Sequence, residues 1–313
     1  MVLLGLLSGC TTSSSNAHPA GPDNSARPSG NGADPAIQGE RPYRVMRIDA
    51  PEPAPNGRWG ERLAAAAVAG KSGDLDGDGV PDFFVGQPRY SSPAARNVGR
   101  VYAISGKTGK VIYTIDSPEP QADARFGFFI SVPGDLDGDG KPDIAVGTDA
   151  QTVSGNTKQG AAWVFSGATG KLLYRLDNPQ PQAAARFGSR IGRAGDVTGD
   201  GVPDIIVGAS GNDVPAGCGQ RNPVPADCHK DQGQAFIFDG RTGRLVRTLD
   251  LPAAAQPPAS CTAGKTNSCG SLGLAVQSPG DLDGDGVPDQ LVDAGTLDGV
   301  GKCCCSAARP ADF

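Results

Sequence analysis

The chain has 313 residues, with 46 Gly, 27 Pro, only 5% aromatic residues and a net charge of −6 from 34 acidic and 28 basic side chains. Gly and Pro make up nearly a quarter of it, which excludes an architecture of long amphipathic helices and favours many short strands joined by tight turns. The acidic balance excludes a nucleic-acid binder, which needs a basic face for phosphates. The two histidines, His18 and His229, exclude most His-based catalytic schemes. No run of 18 apolar residues is present, so no helix is expected to span a membrane. The acids are lopsided: 30 are Asp and 4 are Glu. Asp suits turns and metal loops, whereas Glu suits helices.

Residues 1–10 read Met-Val-Leu-Leu-Gly-Leu-Leu-Ser-Gly-Cys. The apolar run is too short to cross a bilayer. It resembles the end of a bacterial lipoprotein signal, with Leu7-Ser8-Gly9-Cys10 as the lipobox. That resemblance implies lipidation of Cys10. It also implies sorting to the outer membrane or cell surface, because Thr11 rather than Asp follows the Cys. Residues 11–40 are rich in Ser, Gly, Pro, Asn, Ala and Thr. They have too little apolar surface to offset chain entropy and read as a disordered linker.

From residue 41 to 302 one unit recurs. Its core is Gly-Asp-Leu-Asp-Gly-Asp-Gly-Val-Pro-Asp from Gly73, with close copies from Gly134, Gly195 and Gly280. The leading acids are Asp74, Asp135, Asp196 and Asp281, at intervals of 61, 61 and 85 residues. Upstream stand Trp59-Gly60, Phe126-Gly127, Phe187-Gly188 and Leu272-Gly273. Downstream stand Val85-Gly86, Val146-Gly147 and Val207-Gly208, then two further apolar segments per unit. Four short segments rich in β-branched and aromatic residues predict a four-stranded antiparallel meander per unit. A fixed period with one small sheet each predicts an all-β propeller, which hides sheet faces by radial stacking.

Phe-Gly, an Asp-rich loop and then Val-Gly together resemble the FG-GAP repeat of integrin-alpha-type β-propellers. The resemblance covers about residues 43–300. It implies a seven-bladed ring with calcium loops between the first two strands of a blade. Four units fit either a partial seven-bladed ring, which would need roughly 200 more residues at this period, or a small closed ring. In the closed form, Tyr43–Asp49, which matches a fourth strand, would complete the last blade. Residues 303–313 read as an atypical tail, because Cys303-Cys304-Cys305 stands where an apolar third strand is expected. A truncated or frame-shifted C-terminus would explain it.

Within each loop, oxygen donors fall at positions one, three, five, seven (a carbonyl) and nine. The sets are Asp74, Asp76, Asp78, Val80 and Asp82; Asp135, Asp137, Asp139, Lys141 and Asp143; Asp196, Thr198, Asp200, Val202 and Asp204; and Asp281, Asp283, Asp285, Val287 and Asp289. Fifteen of the 30 Asp lie here. Hard cations take clustered oxygens, and Ca²⁺ accepts six to eight of them. Up to four Ca²⁺ sites are predicted, the third weaker because Thr198 is neutral. Position twelve is Val85, Val146, Val207 or Val292 rather than Glu, so these are not EF-hands. The expected role of the ions is structural.

Apart from Cys10, seven cysteines remain. Cys218 with Cys228, and Cys261 with Cys269, flank inserted loops and read as local disulfides. Zinc held by these four with His229 is the alternative, but the spacings match no common zinc pattern. The functional expectation is an exported, lipid-anchored, calcium-binding propeller. It would serve as a binding, adhesion or scaffold module for a protein or glycan ligand carried on its loops. Membrane contact would come only through the lipid. The alternative is a carbohydrate- or lipid-active enzyme of the polysaccharide-lyase or phospholipase type. No Gly-x-Ser-x-Gly or His-Glu-x-x-His motif is present, and no catalytic residue is assigned.

Overall fold

The computed structural model describes residues 45–53, 56–68, 73–221, 228–251, 271–297 and 300–306. The chain divides into two units, Met1–Asp49 and Ala50–Phe313. In the first unit, described residues 45–49 form no strand, so the ring-closing strand expected there is absent from them.

The second unit is all-β among its described residues, apart from one short 3₁₀ turn at Cys218–Gln220. Its first sheet is β1 (Arg62–Ala65), β2 (Phe83–Gln87), β3 (Arg100–Ile104) and β4 (Val111–Asp116). The second is β5 (Phe129–Gly134), β6 (Asp143–Thr148), β7 (Ala161–Phe165) and β8 (Leu172–Leu176). The third is β9 (Phe187–Gly195), β10 (Asp204–Ala209), β11 (Gln234–Phe238) and β12 (Leu245–Leu249). The fourth has three strands, β13 (Val276–Gly280), β14 (Asp289–Leu297) and β15 (Val300–Ser306). Each is an antiparallel meander in sequence order. These are propeller blades. β15 runs through the three cysteines, pairing Cys303 with Asp293, Cys304 with Val292 and Cys305 with Leu291.

Burial follows strand order. The second and third strands of the first three blades are almost continuous apolar runs, fully buried between neighbours. Outer strands β4, β8 and β12 are half-exposed. Such double-sided burial is what stacked sheets impose on central strands. The first strands neighbour one another in turn, β1 with β5, β5 with β9 and β9 with β13. Among the described residues no comparable contact joins β13 to β1.

The Phe-Gly and Val-Gly motifs are the joints between blades. Gly99, Gly160 and Gly233, which lead into the third strands, form parallel bridges with Phe126, Phe187 and Leu272 of the next blade. Phe126 then lies edge-on to Trp163 and Phe165 of its own third strand, with centroids 5.6 and 5.9 Å away. Phe187 does the same with Phe238 at 6.0 Å. The Gly of Val-Gly lets the next blade approach. A Cβ on Gly86, Gly147 or Gly208 would lie 2.4, 2.3 or 2.2 Å from the carbonyl oxygen of Gly127, Gly188 or Gly273. Tyr113 of β4 and Tyr174 of β8 add a pin at the other end, donating their hydroxyls to the carbonyls of Gly167 and Gly240 in the following blade.

Candidate functional site

Each Asp-rich loop joins the first and second strands of a blade. Glycine at positions four and six supplies the left-handed backbone that curls the loop; in the first loop Gly77 and Gly79 have φ of 81° and 85°. Position one organises the turn. Asp74 accepts the N–H groups of Gly77, Asp78 and Gly79 at 2.7, 3.0 and 2.9 Å. These bonds, with that from Gly79 the strongest influence, hold its carboxyl below the usual range.

Position nine does different work. Asp82 is buried and accepts Leu75 N–H at 2.6 Å and, through its other oxygen, Gly106 N–H at 2.9 Å. Asp143 repeats this with Leu136 and Gly167 at 2.7 and 2.8 Å, and Asp204 with Val197 and Gly240 at 2.8 and 2.9 Å. This carboxylate therefore ties the loop to the turn between the third and fourth strands. Burial pushes all three up, Asp143 to about 7.

The acids at positions one, three and five converge in the first and fourth loops, and those at positions one, three and nine in the second. One carboxylate oxygen from each of Asp74, Asp76 and Asp78 lies within 4.8 Å of the others. The same holds for Asp135, Asp137 and Asp143, and for Asp281, Asp283 and Asp285. In the fourth loop Asp285 Oδ2 is buried with no hydrogen-bond partner. A buried, unpartnered carboxylate oxygen beside two more carboxylates is costly unless a cation neutralises it. The donor set therefore fits a hard divalent ion. Among the described residues the first, second and fourth loops could hold one.

The third loop differs. Asp196, Asp200 and Asp204 form no such cluster. Arg241 donates Nε to Asp200 Oδ2 at 3.0 Å and holds that carboxyl low. Asp239 stands where the other blades have Ser105 and Ser166, and its charge adds to the upward push on Asp204. Thr198 thus replaces one acid in the loop while Asp239 adds one beside it. Sequence reasoning missed both Asp239 and Arg241; aligning the turns after the third strands would have exposed them. Lys141, read only as a carbonyl donor, also reaches across to the first loop, where its Nζ donates to the Asp74 carbonyl.

Cys218 and Cys228 form a disulfide, with Cα atoms 5.5 Å apart. Next to it, His229 pairs through its backbone with Val214. The disulfide removes these two thiols from the zinc alternative. Cys10, Cys261 and Cys269 lie outside the described residues.

Residues 69–104, 126–165 and 187–224 match the FG-GAP repeat family. Three stretches of the chain are thus similar to the FG-GAP repeat. The matched residues fall within the first three of the four units. Human integrin alpha-IIb is 38% identical over 151 residues, covering 44% of this chain and 14% of that protein. Drosophila melanogaster integrin alpha-PS2 is 26% identical over 250 residues, covering 73% of this chain and 15% of that protein. Bovine phosphatidylinositol-glycan-specific phospholipase D is 33% identical over 150 residues, covering 44% and 18%. The chain thus spans less than a fifth of the length of these relatives. Among solved structures, rhamnogalacturonan lyase YesW aligns over 84% of this chain and 47% of that chain, with 19% identity and a TM-score of 0.42.

Proposed function

We propose that this chain is an exported binding or scaffold module, lipid-anchored at Cys10, whose FG-GAP blades are held by Ca²⁺ in the first, second and fourth loops. The observation that carries the reading is the meeting of three carboxylate oxygens within 4.8 Å in each of these loops. Every donor comes from one strand connection, and position nine is shared with the turn of the same blade. That arrangement supports a structural rather than a catalytic ion. The cations beside the loops are engaged in the same framework: Lys107 Nζ donates to the Asp78 carbonyl at 3.1 Å, and Arg241 pairs with Asp200.

The enzyme alternative calls for Lys, Tyr or Arg converging in a cleft beside the ions. The cleft between the third and fourth loops holds about 460 Å³ and is lined by Asp196, Val197, Thr198, Gly199, Val246, Gly286 and Val287.

The test is calorimetric titration of chelator-stripped protein with CaCl₂. The expected result is heat of uptake at dissociation constants of about 10⁻⁴–10⁻³ M, as for extracellular modules, with a stoichiometry nearer three than four. No heat of uptake, together with a melting curve unchanged by Ca²⁺, would remove the reading. Thr198→Asp combined with Arg241→Ala is expected to add a further equivalent. The anchor is tested separately: Cys10→Ala is expected to release the protein from the membrane fraction.

A further inference from the structure

At the end of the blades opposite the Asp-rich loops, the first strands place a second charged feature. The position three residues after the aromatic of each Phe-Gly-type motif is Arg62 in the first blade, Phe129 in the second and Arg190 in the third. Strand pairing confirms their equivalence. Arg62 lies opposite Gly86, Phe129 opposite Gly147 and Arg190 opposite Gly208, the glycines of the Val-Gly motifs. Because the first strands neighbour one another, these three side chains meet. The Arg62 and Arg190 guanidiniums stand 5.1 and 4.3 Å from the Phe129 ring centroid. Arg62 also lies 4.8 Å from the Phe128 centroid, with Arg125 at 4.7 Å from the same ring.

Among the described residues, Arg62 and Arg190 form no salt bridge, although the charge of Asp149 acts on Arg190. Arg125 is paired with Asp149 at 2.6 Å. Among the described residues, Arg190 donates to the Ser189 carbonyl, at 2.7 Å. Arg62 bonds to the carbonyls of Phe128 and Glu61, at 2.7 and 3.1 Å. Neighbouring Glu61 accepts Arg58 through Oε1 at 2.7 Å, while its Oε2 is buried without a hydrogen-bond partner. Burial, then the charge of Arg62, lowers the affinity of Arg190 for its proton. A guanidinium carries five N–H donors in a planar fork, so both arginines keep donors for an anion. Two like charges beside one aromatic ring repel until an anion sits between them. All three arginines are half-buried and reach the surface.

We propose that Arg62 and Arg190, spaced by Phe129, form a binding site for a carboxylate group at the end of the blades away from the metal loops. The rings hold the forks in place, and the guanidinium edges offer the paired donors that a carboxylate accepts bidentately.

The probes are glutarate and the trimer of galacturonic acid, titrated into the full chain in CaCl₂, with a neutral galactose oligomer as control. The expected result is binding of at least one acid and none of the neutral sugar. Affinity should fall about tenfold in Arg62→Gln and in Arg190→Gln, and severalfold on raising NaCl from about 20 to 300 mM. Arg190→Lys, which keeps the charge but loses the fork, should fall between wild type and Arg190→Gln. Each variant's melting temperature reports whether it folds. Trimer binding alone identifies a sugar acid, and glutarate binding alone a small acyclic acid; either supports the site. No binding of either acid by the folded wild type would overturn the proposal. So would equal affinity in the Gln variants, or a neutral sugar bound as tightly as the acid.

Discussion

The aspartate at position nine shows how one residue type divides its work within a ten-residue loop. Asp143 accepts Leu136, Asp137 and Gly167 N–H groups from inside the blade, whereas Asp137 is exposed and its carboxylate accepts the Asp139 N–H within its own loop. Asp143→Ala is therefore expected to destabilise even the metal-free protein, by about 3 kcal/mol, because buried donors lose their acceptor. Asp137→Ala should leave metal-free stability within about 0.5 kcal/mol and act only on Ca²⁺ uptake. Urea melts in chelator separate the two; equal losses would refute the division. The position-nine acids also set a pH dependence. Burial raises Asp82, Asp143 and Asp204 above 3.8, Asp143 to about 7. Between these values the folded chain binds more protons than the unfolded one, so metal-free stability falls as pH climbs from about 4 to 7. Asp74 and Asp200, held low, act in the opposite sense below that window, losing their contribution as pH drops. Denaturation midpoints in chelator at pH 4.5 and 7.5 check the sign; a higher midpoint at 7.5 contradicts it.

Between elements, the joints repeat more faithfully than the strands. Gly147→Ala places a Cβ 2.3 Å from the Gly188 carbonyl oxygen. Backbone must move to relieve that contact, and a loss of about 1–3 kcal/mol is expected, read as a lower melting temperature. Tyr113→Phe removes only the bond to the Gly167 carbonyl and should cost about 1 kcal/mol. A Tyr113→Phe loss larger than that of Gly147→Ala would show that the tyrosine pins, not the glycine joints, hold neighbouring blades. Strands two to four of the first three blades were legible from their apolar runs. The first strands were less so. β1 reads Arg-Leu-Ala-Ala and alternates between half-buried and exposed, a pattern too short and too small in side-chain volume to stand out. In the fourth blade, Gln290 and Asp293 weaken the apolar pattern, yet β14 spans Asp289–Leu297. There the ladder with β13 and β15 outweighs local preference.

For the whole molecule, the stacked blades and their loops make stability a sum of blade and joint terms, as in other repeat proteins. Ca²⁺ at about a hundred times its dissociation constant should add about 2.7 kcal/mol per site, raising the melting temperature over that in EDTA; coincident curves would exclude structural ions. The chain by itself determined the unit, its period, the meanders and the spacing of the acids in each loop, because these depend on residue spacing within one connection. The tertiary structure decided which acids meet. It showed that position nine is buried in the blade and that Arg241 occupies the third loop. It also decided that Arg62, Phe129 and Arg190 share one place. Those outcomes depend on groups from separate repeats brought together by stacking, and no spacing along one strand records how far the next blade will come.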